Sequence, residues 1–296
     1  MKRRFIFLFN PRSGVQKGKP LQLILEERCQ KERVEFSIEH SRADGDYISL
    51  IEKIKVTGVT DVIIAGGDGT ISSVLAAIYH LPVNIGILPR GSGNGLALAA
   101  GIPKKMNHAF DIIFNGTAQR VDAFEINGRF SCMLSGIGFD AKVAHDFDSQ
   151  SKRGLMKYIQ LTLQNITTLR TYPFRITSAE VDLQLNAYFI SIANSNQFGN
   201  QFTIAPKASL QDGLLDIVAV EKANLLTLIV RVLWHIRFGT FTTNFANRNG
   251  ITYFQTKEVT ITNAANAPLH IDGDGKDVAS NFHIKVIPSA YSLLMP

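Results

Sequence analysis

Asp61-Val62-Ile63-Ile64-Ala65-Gly66-Gly67-Asp68-Gly69-Thr70 is the stretch on which the reading of this chain turns. Val62 to Ala65 form an unbroken apolar run, the pattern of a strand covered on both faces. Gly66, Gly67 and Gly69 then let the backbone turn tightly and approach a ligand without side-chain clash. A helix is expected over residues 70–79. Its first amides, capped by Thr70 or Ser72, point at whatever lies beyond them, which favours phosphate. Asp68 breaks the pattern, because a carboxylate beside phosphates repels them unless a cation intervenes. It implies Mg2+ or a part in moving a proton. The bland alternative is a strand–turn–helix corner with Asp68 as a cap.

Outward from this corner the rhythm repeats. Arg4–Phe9 reads as a strand, Pro20–Arg33 as a helix, Val34–His40 as a strand and Asp44–Lys55 as a helix. Val83–Leu88 is a further strand, followed by a helix over Asn94–Gly101. Strands alternating with helices predict a parallel sheet. Two more corners follow strands: Asn10-Pro11-Arg12-Ser13-Gly14 and Pro89-Arg90-Gly91-Ser92-Gly93-Asn94-Gly95. In the latter, Ser92 and Asn94 offer donors and Arg90 a charge. The carboxyl ends of neighbouring strands are where an open α/β sheet holds its ligand. The run from Gly14 to Pro20 is not a Walker A loop, since Pro20 stands where Ser or Thr must hold Mg2+.

Near Val121 the rhythm changes to short alternating segments: Phe124–Ile126, Phe130–Leu134, Arg175–Thr177, Val181–Leu185, Ala187–Ala193, Leu215–Val220, Thr252–Phe254, Glu258–Thr262 and Phe282–Ile287. Helical stretches at Lys152–Arg170 and Ala223–Arg237 interrupt them. The expected fold is α/β: an N-terminal nucleotide-binding domain with a parallel sheet over residues 1–122, then a mostly antiparallel β-sandwich over 123–296, whose last residues return to the first domain. Gly136 to Ala141 fits a dinucleotide-binding pattern, but no βαβ unit is expected around it. Asp272-Gly273-Asp274-Gly275 begins like a calcium loop, yet Lys276 and Asp277 occupy positions that need other residue types.

Composition sets the frame. The chain has 296 residues, 45% hydrophobic and 19% charged, a globular balance that excludes disorder as the dominant state. Lys and Arg number 31 against 25 Asp and Glu, giving a net charge of +6 without blocks of like charge. That suits phosphate ligands or an anionic membrane surface as well as nucleic acid. Cys29 and Cys132 alone exclude a disulfide scaffold and a Cys-based zinc site and fit a reducing cytoplasm. The apolar run after Lys2-Arg3-Arg4 stops at Asn10-Pro11, too short for a secretory core.

Taken together, the motifs resemble the diacylglycerol kinase catalytic family, which includes bacterial lipid kinases and the sphingosine and ceramide kinases. Asn10–Gly14 resembles its NPxSG, Gly66–Thr70 its GGDGT, Pro89–Asn94 its PxG[TS]xN, Gly136–Asp140 its GxGFD, and Asp272-Gly-Asp274 its DGE. Pro206-Lys-Ala and Asp212–Asp216 resemble its second-domain signature. The likeness runs from about residue 5 to 288, and GGDGT alone is shared with NAD kinases and phosphofructokinases. The resemblance implies that Asn10, Pro11, Arg12, Ser13, Gly14, Ser41, Gly66, Gly67, Asp68, Gly69, Thr70, Ile71, Ser72 and Ser92 hold ATP. It implies Mg2+ around Asp212, with backbone carbonyls near Ser209 and Leu214. The catalytic base would be Asp274, one methylene shorter than the family's usual Glu, with Asp68 the rival as in the sphingosine kinase branch.

The reaction so implied is ATP- and Mg2+-dependent phosphorylation of a lipid hydroxyl, in a cleft between the domains. The lipid is open between diacylglycerol and a sphingoid base, the GSGN wording of Gly91–Asn94 leaning weakly towards the latter. An NAD kinase is the enzymatic alternative, and a nucleotide-binding regulator without turnover the non-enzymatic one. The partners expected are a lipid alcohol and the membrane surface, with no nucleic acid and a homodimer left open. A cytoplasmic protein peripheral to the membrane follows. Ala223–Arg237, with Leu225, Leu228, Ile229 and Val232 on one face, either lies at the bilayer interface or packs on the sandwich.

Overall fold

The computed structural model describes residues 3–9, 20–42, 44–148, 161, 164–165, 169–197, 205, 207–221 and 250–296. The chain divides into two compact units, Met1–Val121 with Ser289–Pro296, and Asp122–Pro288.

In the first unit, β1 (Arg4–Phe9), β2 (Glu35–His40), β3 (Asp61–Gly66) and β4 (Asn84–Pro89) form a parallel sheet in the order β2-β1-β3-β4. The chain's last strand, β15 (Asn281–Met295), adds Ser292 and Leu293 beside Asn84 and Ile85, again parallel. Every residue of β3 is buried. Side chains alternate along a strand, so both faces of β3 are covered. Helices α1 (Leu21–Glu32), α2 (Ile48–Thr57), α3 (Asp68–Ile78), α4 (Gly95–Ala99) and α5 (Met106–Asn115) follow the strands. Each of the longer ones buries one stripe, such as Leu21, Leu25 and Cys29 on α1 or Ile71, Val74, Leu75 and Ile78 on α3. α2 begins at Ile48, later than Asp44, because Asp44 and Asp46 spend their carboxylates on the turn before it. Asp44 Oδ1 accepts the Asp46 amide at 3.1 Å and Asp46 Oδ1 the Ile48 amide at 3.0 Å. α5, with Ala109, Phe110 and Ile113 buried, is an element the sequence pattern did not announce.

The basic start of the chain serves packing. Arg3 donates Nε to Asp61 Oδ2 at 3.0 Å and Nη2 to Oδ1 at 2.6 Å. The same guanidinium reaches the last carbonyls of α5, Ile113 and Phe114, at 2.9 and 3.0 Å, and lies 4.7 Å above the Phe5 ring. Asp61 is wholly buried and also accepts bonds from Thr60 Oγ1 and Asn84 Nδ2. One fork therefore ties the starts of β1 and β3 to the end of α5, where a cation also meets the helix dipole.

In the second unit, β5 (Thr117–Ile126) turns through Asn127 and Gly128, both at positive φ (49° and 76°), into β6 (Arg129–Ser131). That is the two-residue hairpin such a pair favours. The remaining strands are β7 (Leu134–Gly138), β8 (Tyr172–Thr177), β9 (Asp182–Ala193), β10 (Leu215–Glu221), β11 (Ile251–Thr256), β12 (Glu258–Thr262), β13 (Leu269–Ile271) and β14 (Asp274–Lys276). They pair antiparallel along β14-β13-β7-β9-β8-β12-β15, with β10 on β9 and β11 on β10. β9 is one strand where two were expected. Its first half alternates exposed and half-buried residues against β8, and its second half is almost continuously buried between β7 and β10. Phe124, Ile176, Ile190, Ile217, Ile261 and Phe282 belong to one core. The expected antiparallel sandwich is what forms.

β7 runs straight into a helix, α6 (Phe139–Asp148), that the sequence reading lacked. The corner at Gly136–Ala141 is thus a strand-to-helix turn, but β7 is antiparallel to both its neighbours, so no βαβ unit exists there. The expected helix at Ala223–Arg237, most of Lys152–Arg170 and the Asn10–Gly14 corner lie outside the described residues. Among the described residues, no helix is long and apolar enough to cross a membrane.

The Arg3 fork carries a measurable consequence. Arg3→Ala leaves the Asp61 carboxylate buried without its cation and should cost about 3 kcal/mol. Asp61→Asn combined with it should recover part of that loss. Urea midpoints of the three variants test this, and a loss below about 1 kcal/mol for Arg3→Ala would make the pair an ordinary surface one.

Candidate functional site

The parallel sheet gathers its carboxyl ends in register: Phe9 pairs with His40 and Ala65, and Gly66 with Pro89. From β1 the chain moves to β2 on one side and returns to β3 on the other, so the β1/β3 ends are the point where an open sheet holds ligands. Ser41 is there, half-buried, its amide donating to the Phe9 carbonyl at 3.1 Å. Gly66–Ser72 and Arg90–Asn94 follow β3 and β4.

The two glycine corners meet backbone to backbone. A Cβ on Gly91 would lie 2.6 Å from the Gly67 Cα, and one on Gly67 would lie 3.0 Å from the Gly91 Cα. Asn94 braces this contact rather than offering donors outward. At φ 56° and buried, it accepts the Gly91 amide on Oδ1 and donates Nδ2 to the Gly91 carbonyl, both at 2.8 Å. The Arg90 amide bonds the Gly66 carbonyl at 2.8 Å. Arg90 Nε is buried with no hydrogen-bond partner among the described residues.

α3 starts two residues earlier than expected, at Asp68, with Gly67 as its N-cap. Thr70 is not the cap, because its side chain is folded onto Gly66. The first amides of a helix have no partner inside the helix itself. Asp68 is half-buried and Gly69 exposed, whereas Ile71 packs in the core and bonds the Gly67 carbonyl. Ser72 is half-buried and Ser92 exposed. The α3 N-terminus, a buried guanidinium N–H and close-packed glycines are what the chain gathers at this corner.

In the second unit, the turn before β10 places two carboxylates together. Asp212 Oδ1 accepts the Leu214 amide at 3.0 Å, and Asp122 Oδ2 accepts the Gly213 amide at 2.7 Å. Desolvation and, after it, the nearby Asp122 carboxylate hold the Asp212 carboxyl above its usual range. Ser209 caps the same turn, its Oγ accepting the Gln211 amide at 3.2 Å. Asp216 is wholly buried, and burial pushes its carboxyl up to about 6 against the pull of the Tyr253 hydroxyl and the Gln255 amide. Among the described residues no cluster of His, Cys, Asp or Glu side chains is built to hold a metal by side chains alone. Two neighbouring carboxylates are nonetheless hard oxygen donors of the kind Mg2+ takes.

Asp272 and Gly273, at φ 50° and 92°, form the turn of the β13–β14 hairpin, with Ile271 opposite Asp274. The Asp272 carboxylate is a structural anchor. Ser131 Oγ reaches its Oδ1 at 2.7 Å, the Met133 and Leu134 amides reach Oδ1 at 3.1 Å, and the Cys132 amide reaches Oδ2 at 3.1 Å. Asp274 is exposed, with Lys276 Nζ 3.7 Å from its Oδ2. Asp122 was missed in the sequence, being one acid in the apolar run Val121–Phe124. The sequence offers Arg90 only as a charge.

The glycine corner can be tested without a ligand. Gly91→Ala should destabilise by about 1–3 kcal/mol, since backbone must move to admit a methyl group. Gly69→Ala meets nothing within 4 Å and should be neutral or stabilising by up to about 1 kcal/mol. Equal tolerance of both substitutions in urea unfolding would mean that the two corners do not touch.

Residues 4–126 match the family model described as the diacylglycerol kinase catalytic domain, and residues 134–295 the one described as the YegS C-terminal NAD kinase beta sandwich-like domain. The diacylglycerol kinase of Bacillus subtilis strain 168 is 27% identical over 93% of this chain and 90% of its own. A protein of Yersinia pestis strain Pestoides F, described as "Probable lipid kinase YegS-like", is 24% identical over 96% of this chain and 95% of its own. The crystal structure of a diacylglycerol kinase from Bacillus anthracis strain Sterne shares the fold, with a TM-score of 0.76 at 18% identity over 99% of this chain and 97% of that one. Models over both units and relatives along nearly the whole length agree: the chain belongs to the diacylglycerol kinase family of lipid kinases, phosphotransferases with an alcohol group as acceptor.

Proposed function

We propose that the chain transfers the terminal phosphoryl group of ATP to the hydroxyl of a lipid alcohol, with Mg2+. The observation that carries this reading is the cradle at the sheet's carboxyl edge. There the α3 N-terminus and the buried Arg90 Nε–H would supply donors for phosphate oxygens, beside the close Gly67–Gly91 contact. In this reading Gly66–Ser72, Ser41, Ser92 and Asn10–Gly14 hold ATP, and Arg90 is added to them. Asp212 and Asp122, with carbonyls near Ser209 and Leu214, would hold a Mg2+ of structural kind. When bound with ATP, Mg2+ supplies charge neutralisation at the phosphates. Asp68, at the first position of α3, faces that charge.

A lipid hydroxyl is far too weak an acid to ionise at neutral pH, so a carboxylate should take its proton as the new P–O bond forms. Asp274, exposed on a braced hairpin, is assigned that role, and Asp68 is the rival. The acceptor is diacylglycerol or a sphingoid base, presented at a membrane surface to which the protein binds peripherally. Phosphorylation of NAD is the second reading, favoured by the description of the second unit's family model. Radiolabelled ATP offered with diacylglycerol, sphingoid bases, ceramide and NAD separates the two. Transfer to NAD alone overturns the lipid reading.

Two substitutions sort the acids. Asp68→Asn keeps shape and removes charge, and turnover should fall by at least about a hundredfold with the fold intact. In single turnover at saturating ATP, Asp274→Asn should slow the chemical step by about a hundredfold or more, while Asp274→Glu retains much of it. If Asp274→Asn reacts normally and Asp68→Asn does not, the proton goes to Asp68.

A further inference from the structure

The Gly136-Ile137-Gly138-Phe139-Asp140 stretch takes no part in the phosphate cradle, yet it is tightly built. A Cβ at Gly136 would lie 1.9 Å from Asp140 Oδ2 and 2.5 Å from its Cγ, so the carboxylate lies flat on the Gly136 backbone. Oδ1 accepts the Ala141 amide at 2.8 Å, in the first turn of α6. Oδ2 is 3.4 Å from His270 Nε2, and both residues are buried. The other ring nitrogen, Nδ1, accepts the Gly273 amide at 3.2 Å. Because Nδ1 accepts, the ring proton sits on Nε2 and faces Asp140. A buried carboxylate, an imidazole and a backbone amide are thereby linked in line, ending one residue before Asp274.

Hairpin formation does not require this arrangement. An Asp-Gly turn with positive φ at both positions is favoured by its own backbone. Burying a carboxylate and an imidazole costs free energy that an apolar pair of like volume would not. What the pair adds is a fixed position for the Gly273 amide. Asp272, bonded to the 131–134 segment, grips the same turn from its other end. We infer that Asp140 and His270 are positioning residues, which act through Gly273 to hold the turn that presents Asp274. The inference rests on the reading of Asp274 as the proton acceptor.

The test uses the full chain with diacylglycerol in mixed micelles, alongside hydrogen exchange at the Gly273 amide. His270→Gln keeps a donor for Asp140 and loses the acceptor for Gly273. His270→Asn keeps the acceptor and loses the donor. In His270→Gln the Gly273 amide should exchange about fivefold faster. Its kcat should fall about tenfold to a hundredfold while the KM for ATP stays within about twofold. His270→Asn should keep slow exchange and recover most of the kcat. Wild-type exchange in His270→Gln overturns the inference, and so does fast exchange with undiminished kcat. Should His270→Gln not fold, Asp140→Asn is measured in its place, with faster Gly273 exchange and a kcat loss at constant ATP KM expected. Asp274→Asn runs in parallel. Normal turnover there removes the base reading and this inference with it, whereas its loss beside an unaffected His270→Gln overturns the positioning role alone.

Discussion

Gly67 and Gly91 touch through bare backbone, and the first unit's site depends on that contact. With any side chain at either position, the corners after β3 and β4 would be pushed apart. The start of α3 and the Arg90 corner would then no longer lie side by side. Close approach explains several neighbours at once. Asn94 takes a left-handed backbone and spends both amide groups on Gly91. Thr70 folds back on Gly66 instead of capping α3. Arg90, bonded through its amide to Gly66, keeps its Nε–H buried and unspent. A donor left in that state costs free energy, which a phosphate oxygen would return.

The second unit solves a different problem with buried charge. A β-sandwich positions a residue in a hairpin only as well as the hairpin is held, and the β13–β14 turn is short. Its Asp272 takes backbone amides from the 131–134 segment, which joins β6 to β7, so the turn is tied to a central part of the sheet. Asp122, midway along β5, accepts from Gly213, and its carbonyl takes Asn194 Nδ2 at 2.8 Å. Acids here mostly serve as acceptors for backbone amides, which is how a loop gains order without apolar burial.

Glycine, apolar runs and turn residues made most of the architecture legible in the sequence. β1 and β12 form over the residues their side-chain patterns predict, because a buried strand leaves no choice of face. Boundaries failed where a side chain found a local partner. Asp44 and Asp46 delayed α2 with their own turn, and Gly67 let α3 begin inside the motif. The sequence reads as two strands where β9 is one, its backbone continuing unbroken as alternation gives way to near-continuous burial from Ala187. The glycine corners of the candidate site were legible, since glycine there has only backbone reasons. The Asp122–Gly213 and Asp140–His270 pairings were not, since in each the partner lies far away in sequence and is set by tertiary register.

The two acids proposed for catalysis differ in what surrounds them, and that difference favours a division of labour. Asp68 opens a helix whose amides already attract negative charge, and it stands beside the Arg90 corner. In the proposed reading a carboxylate there would act through the cation that accompanies the phosphates rather than by taking a proton. Asp274 has an exposed carboxylate with one ammonium 3.7 Å away, and its support comes through the backbone of the preceding turn. The methylene that it lacks relative to glutamate shortens its reach, so the position of its backbone matters more than it would for the longer acid. On this chain the turn is gripped at both ends, by Asp272 and by His270, as a short acid would require.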